Sequence, residues 1–537
     1  MTDNKDDIKA QVDERVTSEA LTLVKDNPPK KENADGKTSE FIEKCLKDNF
    51  RGDAVLFLRV FKNQFLYDKT AHPDFAWYYW KGHSWELDLE NRAHEAIESL
   101  ATLYEGEGEK LLSEIGDAKK NDNEKLEKRL QKKQGAFFSR ARRMRDPVGI
   151  GKCLKMTHHI KGGFGFIGEK FDRDPWLLGF ANGVMNLKTG VFRDGKPDDY
   201  ITKAVPHEWG DHDSKAPMWE KFILEILDND KELAAFLQRI LGYGLTGVVD
   251  EHAFLILHGK QGRNGKGTLI ETLTYLFPTL ALPIKSELLL AQPIARSSAG
   301  HDADIMTLKG LRMALASETD DKRGFSAERI KWLTGGDTII ARGVHGKFEE
   351  HFPPTHLLIL QTNKLPEAPS DDEAFWDRMN VISFKLRFMA KPEGKNQRPR
   401  IKGLGKKLLE ETRGILAWLV KGCMLWQNQG LNPPPAVTEA TKEYKYNQDS
   451  LSQFIEDSCI EPEKTGPKER VQLKVIYKAL TAWMIEAYPS RYKKFLPSNN
   501  KFSAWLSERF DKETTGGQVY FYGIKLKEEE AGQERIL

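Results

Sequence analysis

The sequence predicts an α/β fold built on a phosphate-binding loop, with a helical N-terminal region before it and a helix-then-strand domain after it. Three observations carry that reading. Residues 254–268 run Phe-Leu-Ile-Leu-His-Gly-Lys-Gln-Gly-Arg-Asn-Gly-Lys-Gly-Thr: a buried-strand pattern, then a loop holding Gly259, Gly262, Gly265 and Gly267, then helical spacing at Leu269, Ile270 and Leu273. Two further apolar runs, Arg312–Glu318 and Leu357–Asn363, each end in a polar residue. Residues 450–537 hold three helical patterns followed by a terminal β element, Gln518–Leu526, the order of a winged-helix domain.

Residues 1–50 are predicted as a disordered tail. Asp, Glu, Lys, Asn and Pro dominate its first forty positions, and such a segment buries too little apolar surface to offset ordering entropy. Order is expected near Ala54, opening an N-terminal α+β domain over 51–205. There Phe75–Trp80 and Trp85–Leu87 read as a hairpin around Lys81-Gly82-His83. Residues 90–145 read as helices; the charge run Lys119–Lys133 and the cluster Arg140, Arg142, Arg143 and Arg145 suit either a solvated helix face or nucleic-acid contact. Asp172–Tyr200 reads as short strands with Asn-Gly and Thr-Gly turns.

A helical collar is expected over 206–250, where Phe222, Ile223, Ile226, Leu233, Phe236, Leu237, Ile240 and Leu241 recur at helical spacing. The ATPase domain is assigned to 251–390. A helical lid and linker, 391–445, follows: a basic loop over Lys391–Lys407, then a helix over Leu408–Trp426 stopped by Leu431-Asn432-Pro433-Pro434-Pro435. The winged-helix domain takes 446–537. No internal repeat is present.

Composition bounds the partners. Hydrophobic residues make up 39% and charged residues 30% of the chain, with 12 Trp and 28 Phe, which describes a folded globular protein. Net charge is only +2, so a nucleic-acid surface has to be a local patch. The four cysteines, Cys45, Cys153, Cys423 and Cys459, lie far apart and suit reduced thiols in a cytoplasmic protein better than a disulfide or zinc framework. With no long apolar run and a polar N-terminus, neither a membrane span nor a signal peptide is expected.

Strand, glycine loop, lysine and helix together make a phosphate cradle. Backbone N–H groups approach the anion, the helix N-terminus adds partial positive charge, and a lysine reaches the β- and γ-phosphates. Lys266 is that lysine, with Gly259, Gly262, Asn264, Gly265, Gly267 and Thr268 lining the cradle and Thr268 offering a hydroxyl to Mg2+. The pattern departs from G-x-x-x-x-G-K-[ST]: five residues separate Gly259 from Gly265, and Gly267 stands where Ser or Thr is usual. Hydrolysis of ATP also needs a carboxylate beside the metal or water, a polar sensor of the γ-phosphate, and a cation against transition-state charge. Glu318, Asn363 and Arg378 fill those roles in order.

Between them runs Lys331-Trp332-Leu333-Thr334-Gly335-Gly336-Asp337-Thr338-Ile339-Ile340-Ala341-Arg342-Gly343-Val344-His345-Gly346-Lys347-Phe348. The order "S-E-T", "K-x-L-T-G-G-D-x-I-x-A-R", "P-x-x-x-L-x-L-x-T-N-x-L-P" and "F-W-x-R" resembles the superfamily 3 helicases, specifically the helicase half of phage and plasmid primase-helicases and of the poxvirus primase-helicase. The resemblance covers roughly residues 170–526 and includes Ala181–Gly190. It implies an AAA+-like ATPase assembling as a homo-hexamer and moving 3′→5′ on single-stranded DNA. By that likeness Lys266 and Thr268 serve the phosphates and Mg2+, Glu318 activates water and helps hold the metal, Asn363 senses, and Arg378 acts on a neighbouring subunit. Arg342–Phe348 corresponds to the channel hairpin, whose glycine-flanked tip presents His345 and Lys347, with Lys331 and Arg342 nearby, to a DNA phosphate.

The expected activity is thus an ATP-dependent DNA helicase acting on single-stranded and forked DNA, with a separate primase or other replication protein as a further partner. The alternatives are a DNA-binding ATPase regulator or packaging motor, or a loading scaffold that hydrolyses no nucleotide. Primase activity is not expected, because the N-terminal region is short and its acid cluster near a histidine, Asp88-Leu89-Glu90 beside His83, is a weak match to the D-x-D kind.

Overall fold

The computed structural model describes residues 38–292, 303–317, 323–342, 349–460, 469–490 and 492–527. Order begins earlier than the composition suggests. Helix α1 (Ser39–Lys47) is capped by the Thr38 hydroxyl and buries Ile42 and Cys45; α2 (Asn49–Val60) follows. Two buried side chains are enough to dock a short polar helix, so the tail predicted over 1–50 gives way to structure from Ser39. Residues 1–37 lie outside the described residues.

Strands β1 (Phe65–Asp68), β2 (Trp77–Trp80), β3 (Trp85–Leu87) and β4 (Gly165–Phe166) form a sheet in the order β3-β2-β1-β4. Its hairpin pairs Trp80 with Trp85 across Lys81–Ser84, as the alternation of large side chains requires. Helices α3 (Glu98–Lys120), α4 (Glu124–Met144) and α5 (Pro147–His159) pack beside it.

The arginine cluster on α4 is largely structural. Arg140 donates to Asp53 at 2.6 Å and to the Leu46 carbonyl at 2.9 Å, and Tyr104 donates to the same Asp53 oxygen at 2.8 Å. Asp53 is fully buried. Arg143 lies 3.6 Å from Asp53 and stacks on Phe50, while Arg145 pairs with Glu98 at 2.6 Å and with Glu105. These three cations tie α1–α4 together.

The cores divide the chain differently from the sequence boundaries. One core gathers residues from Ile42 to Phe164. The next sheet, β5 (Leu177–Phe180), β6 (Gly183–Asn186), β7 (Val191–Arg193) and β8 (Ala204–Val205), instead packs its Leu178, Phe180, Met185 and Val205 into the core under the following helices. The 51–205 unit therefore splits near residue 170, because the apolar face of β5–β6 finds its partner downstream.

Helices α6 (Pro217–Ile226) and α7 (Lys231–Tyr243) precede a five-stranded sheet. Its strands are β9 (Phe254–His258), β10 (Ala281–Ile284), β11 (Met313–Ser317), β14 (Leu357–Thr362) and β15 (Met379–Ser383), in the order β10-β11-β14-β9-β15, all parallel. Near-continuous burial along β9 and β14 suits a parallel sheet covered on both faces. Leu255, Leu257, Leu315 and Ile359 face α6, α7 and α8 (Lys266–Leu276); Phe254, Ile256, Ala314 and Leu358 face the opposite core with α9 (Ala327–Thr334). Between α9 and β14, β12 (Ile339–Ala341) and β13 (Glu350–Phe352) pair antiparallel.

The expected helix Leu408–Trp426 is broken: a short helix, Leu404–Leu409, is followed by α10 (Thr412–Gln429). Glu411 sits at the break and turns its carboxylate to the backbone N–H groups of Met218 and Trp219 at 3.1 and 2.9 Å, capping α6. Arg239 on α7 donates to the Leu431 and Asn432 carbonyls at 2.9 and 3.0 Å, fixing the stop after α10. After α11 (Pro435–Gln448), the last unit runs α12 (Ser450–Ser458), β16 (Arg470–Gln472), α13 (Leu473–Ala487), α14 (Asn499–Ser507), β17 (Asp511–Thr515) and β18 (Gln518–Tyr522), with β18 central in a three-stranded sheet. All four cysteines are buried and unpaired with one another.

Removing Asp53 leaves Arg140 buried without its carboxylate. Asp53→Ala is expected to destabilise the protein by about 3–5 kcal/mol in urea denaturation, whereas Arg145→Ala, which removes a surface pair, costs no more than about 1 kcal/mol.

Candidate nucleotide-binding site

The glycine loop leaves the C-terminal end of β9 and enters α8 at Lys266. Two backbone bonds hold its start: Phe384 N–H donates to the His258 carbonyl at 2.7 Å and Gly259 N–H to the Thr362 carbonyl at 3.2 Å. Gly265, the cap of α8, has φ +91°, and a Cβ there would lie 2.3 Å from Ile226 Cγ2. Side chains are excluded both by the backbone and by α6. A Cβ at Gly259 would lie 2.1 Å from Asn264 Nδ2 and 3.0 Å from Lys266 Nζ. Asn264 is buried and donates to the Gln261 carbonyl at 2.8 Å, closing the loop on itself. The extra loop residue is accommodated by Arg263, held at φ +65°, whose carbonyl accepts from Phe388 N–H at 2.7 Å.

Lys266 is 3% exposed. Its ammonium donates to the Gly259 carbonyl at 3.2 Å and to Asn363 Oδ1 at 3.0 Å. The structure thus joins two residues that stand 97 positions apart. Burial pushes the amine down from its ordinary value to about 8, and burial, then the Lys266 and Lys260 charges, hold His258 below the usual histidine range. A buried ammonium on neutral oxygens, at a helix start with unpaired N–H groups, fits the phosphates of a nucleotide. For a divalent cation the donor set is thinner. Thr268 lies half-buried in the first turn of α8, and Gly267 carries no hydroxyl, with open space where its Cβ would be. Glu318, the expected water-activating acid, lies outside the described residues.

Arg378 is not brought to this end of the sheet. Register pairs Met379 with Phe254 and Ser383 with His258, so Arg378 sits at the N-terminal end of β15 while Lys266 sits beyond the C-terminal end of β9. The two are separated by roughly 13–16 Å of strand at 3.2–3.4 Å per residue. Arg378 donates to Thr334 Oγ1 at 3.2 Å and to the Ala374 carbonyl. Thr334 is the first residue of the Thr-Gly-Gly-Asp run. Its hold on Arg378 was missed in sequence, because spacing gives no sign of a contact across 44 positions.

Of the residues expected to meet DNA, Lys331 pairs with Asp372 at 2.6 Å, and that hydrogen bond holds the Asp372 carboxyl below its ordinary range. Its charge is already matched within the chain. Arg342 follows β12 at the base of the β12–β13 hairpin; His345 and Lys347 lie outside the described residues. Asp88, the acid considered beside His83, accepts from Arg92 and Ala93 N–H at 2.9 Å each and so fixes a helix start. Among the described residues no group of three or more His, Cys, Asp or Glu could hold a metal ion, and no helix is long and apolar enough to cross a membrane.

The fold and site define an α/β protein with a lysine-bearing glycine loop over a parallel sheet. Residues 54–228 match the family model described as "D5 N terminal like". The chain is 26% identical over 520 residues to the Acanthamoeba polyphaga mimivirus protein named "Putative helicase L207/L206", covering 92% of this chain and 52% of that protein. It is 23% identical over 319 residues to the African swine fever virus protein named "Putative primase C962R", covering 55% of this chain and 32% of that protein. The chain thus spans about half the length, or less, of these relatives. Among solved structures, the apo C-terminal region of NrS-1 aligns with a TM-score of 0.35 and 13% identity, over 60% of this chain and 77% of that one. The chain is thus similar to D5-like primase-helicases and to proteins of large DNA viruses named as putative helicases or primases.

Because the Lys266 amine titrates near pH 8 and a polyanion favours its charged form, nucleotide binding at pH 8–9 takes up protons and weakens as pH rises through that range; titration calorimetry in buffers of different ionisation enthalpy measures both, and Lys266→Arg, always charged, removes the dependence. Gly265→Ala, strained at φ +91°, weakens ADP binding by about 10-fold or more, whereas Gly267→Ser, entering open space, leaves it intact.

Proposed function

We propose that this chain is an ATP-dependent DNA helicase serving replication of a virus or other mobile element, working as a ring of identical subunits on single-stranded DNA. The observation that carries the reading is the Lys266 ammonium held between the Gly259 carbonyl and Asn363 at the C-terminal ends of adjacent parallel strands. That is the place where an α/β sheet binds its ligand, and the pairing supports reading Lys266 as the phosphate lysine and Asn363 as the γ-phosphate sensor. The sheet order, with β9 between β14 and β15, supports an AAA+-like P-loop core. The helix and strand order of residues 450–522 supports a winged-helix domain. ATP and Mg2+ are the fuel, with Lys266 and the α8 N-terminus on the phosphates, Thr268 toward the metal, Glu318 activating water and Asn363 sensing. The β12–β13 hairpin, through Arg342, His345 and Lys347, meets the DNA backbone.

Arg378, at the far end of the sheet, completes the site of the next subunit. It neutralises transition-state charge there, which is why the catalytic set is divided between copies. The names of the viral relatives, helicase and primase, fit this replication role. A loading scaffold is favoured by one observation, the glycine at position 267, which thins the metal site; turnover near buffer background would select it.

Lys266→Ala is expected to lower DNA-stimulated ATP hydrolysis and unwinding of forked DNA by about 100-fold or more, and Arg378→Ala to spare ADP binding while lowering hydrolysis by about 1,000-fold. Mixing the two inactive variants creates interfaces holding both an intact Lys266 and an intact Arg378. Partial recovery of hydrolysis in the mixture is expected; no recovery at any ratio rejects the divided site.

A further inference from the structure

Gln361 lies at the C-terminal end of β14, two residues before Asn363, and its side-chain oxygen Oε1 is buried with no hydrogen-bond partner among the described residues. Its neighbours in the sheet are Ser317 on β11 and Leu257 on β9. Leu257 and Ile359, which share its side of the sheet, pack on the core beneath α8. Gln361 therefore projects from the face that carries α8, at the strand end where Asn363 meets Lys266. A buried carbonyl left unpaired carries the cost of its lost hydration, so a donor that pairs with it offsets a real penalty.

A phosphate cannot be that partner, since phosphate oxygens at neutral pH only accept. Lys266, which meets Asn363 at this strand end, is already shared by Gly259 and Asn363. A water can be that partner, and a carboxamide is suited to orient one because it accepts and donates without ionising. Resting on the nucleotide-site reading above, we infer that Gln361 holds the attacking water at the γ-phosphate end of the loop. The water oxygen forms the new bond to the γ-phosphorus, the bond from that phosphorus to the bridging oxygen breaks, and ADP leaves with the electron pair. The water's proton passes to the phosphate product; Gln361 takes none. The side chain thus supplies orientation beside whatever group acts as base.

The test uses the full chain with Gln361→Leu, Gln361→Asn and Gln361→Glu, and reads three quantities: affinity for Mg2+–ADP, affinity for Mg2+–ADP with aluminium fluoride, whose planar fluoroaluminate recruits the attacking water, and ATP turnover. Gln361→Leu and Gln361→Asn are expected to bind ADP within about twofold of wild type, to lose about 10-fold or more of the extra affinity for the fluoroaluminate complex, and to turn over correspondingly slower. Gln361→Glu, which keeps an acceptor oxygen at the same reach, retains more of both. Wild-type affinity for the fluoroaluminate complex in the leucine and asparagine variants overturns the inference. So does a parallel loss of ADP and fluoroaluminate binding in every variant, which marks a packing role. Failure of the underlying reading looks different: Lys266→Ala would then bind ADP as well as wild type does.

Discussion

An ammonium ion taken out of water must be given oxygen partners, or it surrenders its proton. Lys266 meets that constraint with one backbone carbonyl from its own loop and one carboxamide from the neighbouring strand, and much of the local architecture serves the arrangement. Gly259 has no side chain because Asn264 and the lysine amine occupy its space. Gly265 turns left-handed to let α8 begin against Ile226. The partners are neutral, so burial is compensated only in part and the amine stays easy to deprotonate. A polyanion is the kind of ligand that would restore the missing countercharge.

The parallel sheet explains why the candidate site is distributed as it is. Every strand points the same way, so polar residues that end β9, β11 and β14 gather at one edge, and those that precede a strand gather at the other. Asn363 and Gln361 belong to the first group. Arg378 belongs to the second and is held there by Thr334. Strand direction keeps the arginine and the lysine at opposite ends of the sheet within one chain.

Outside the sheet, the polar interactions do mechanical work. Asp53, itself buried, draws Arg140, Arg143 and Tyr104 around one carboxylate. Glu411 caps a helix nearly two hundred positions earlier. Arg239 anchors the chain after α10. The Glu411 contact explains why the predicted helix through Leu408 is interrupted, whereas Leu178–Val205 joins the core of the central sheet through its own apolar face.

The sequence by itself determined the elements whose signal is local. The strand, glycine loop and helix over 254–276, the hairpin around Gly82, the two helices before Tyr243 and the final helix-then-strand order all follow from periodicity and turn residues a few positions apart, and the structure has each. The early helix at Ser39, the break at Glu411, the pairing of Lys331 with Asp372, the hold of Thr334 on Arg378 and the exposed-or-buried fate of each arginine on α4 were decided only by tertiary structure. Each depends on which carboxylate, carbonyl or apolar face arrives from elsewhere in the chain, and residue spacing carries no record of that arrival.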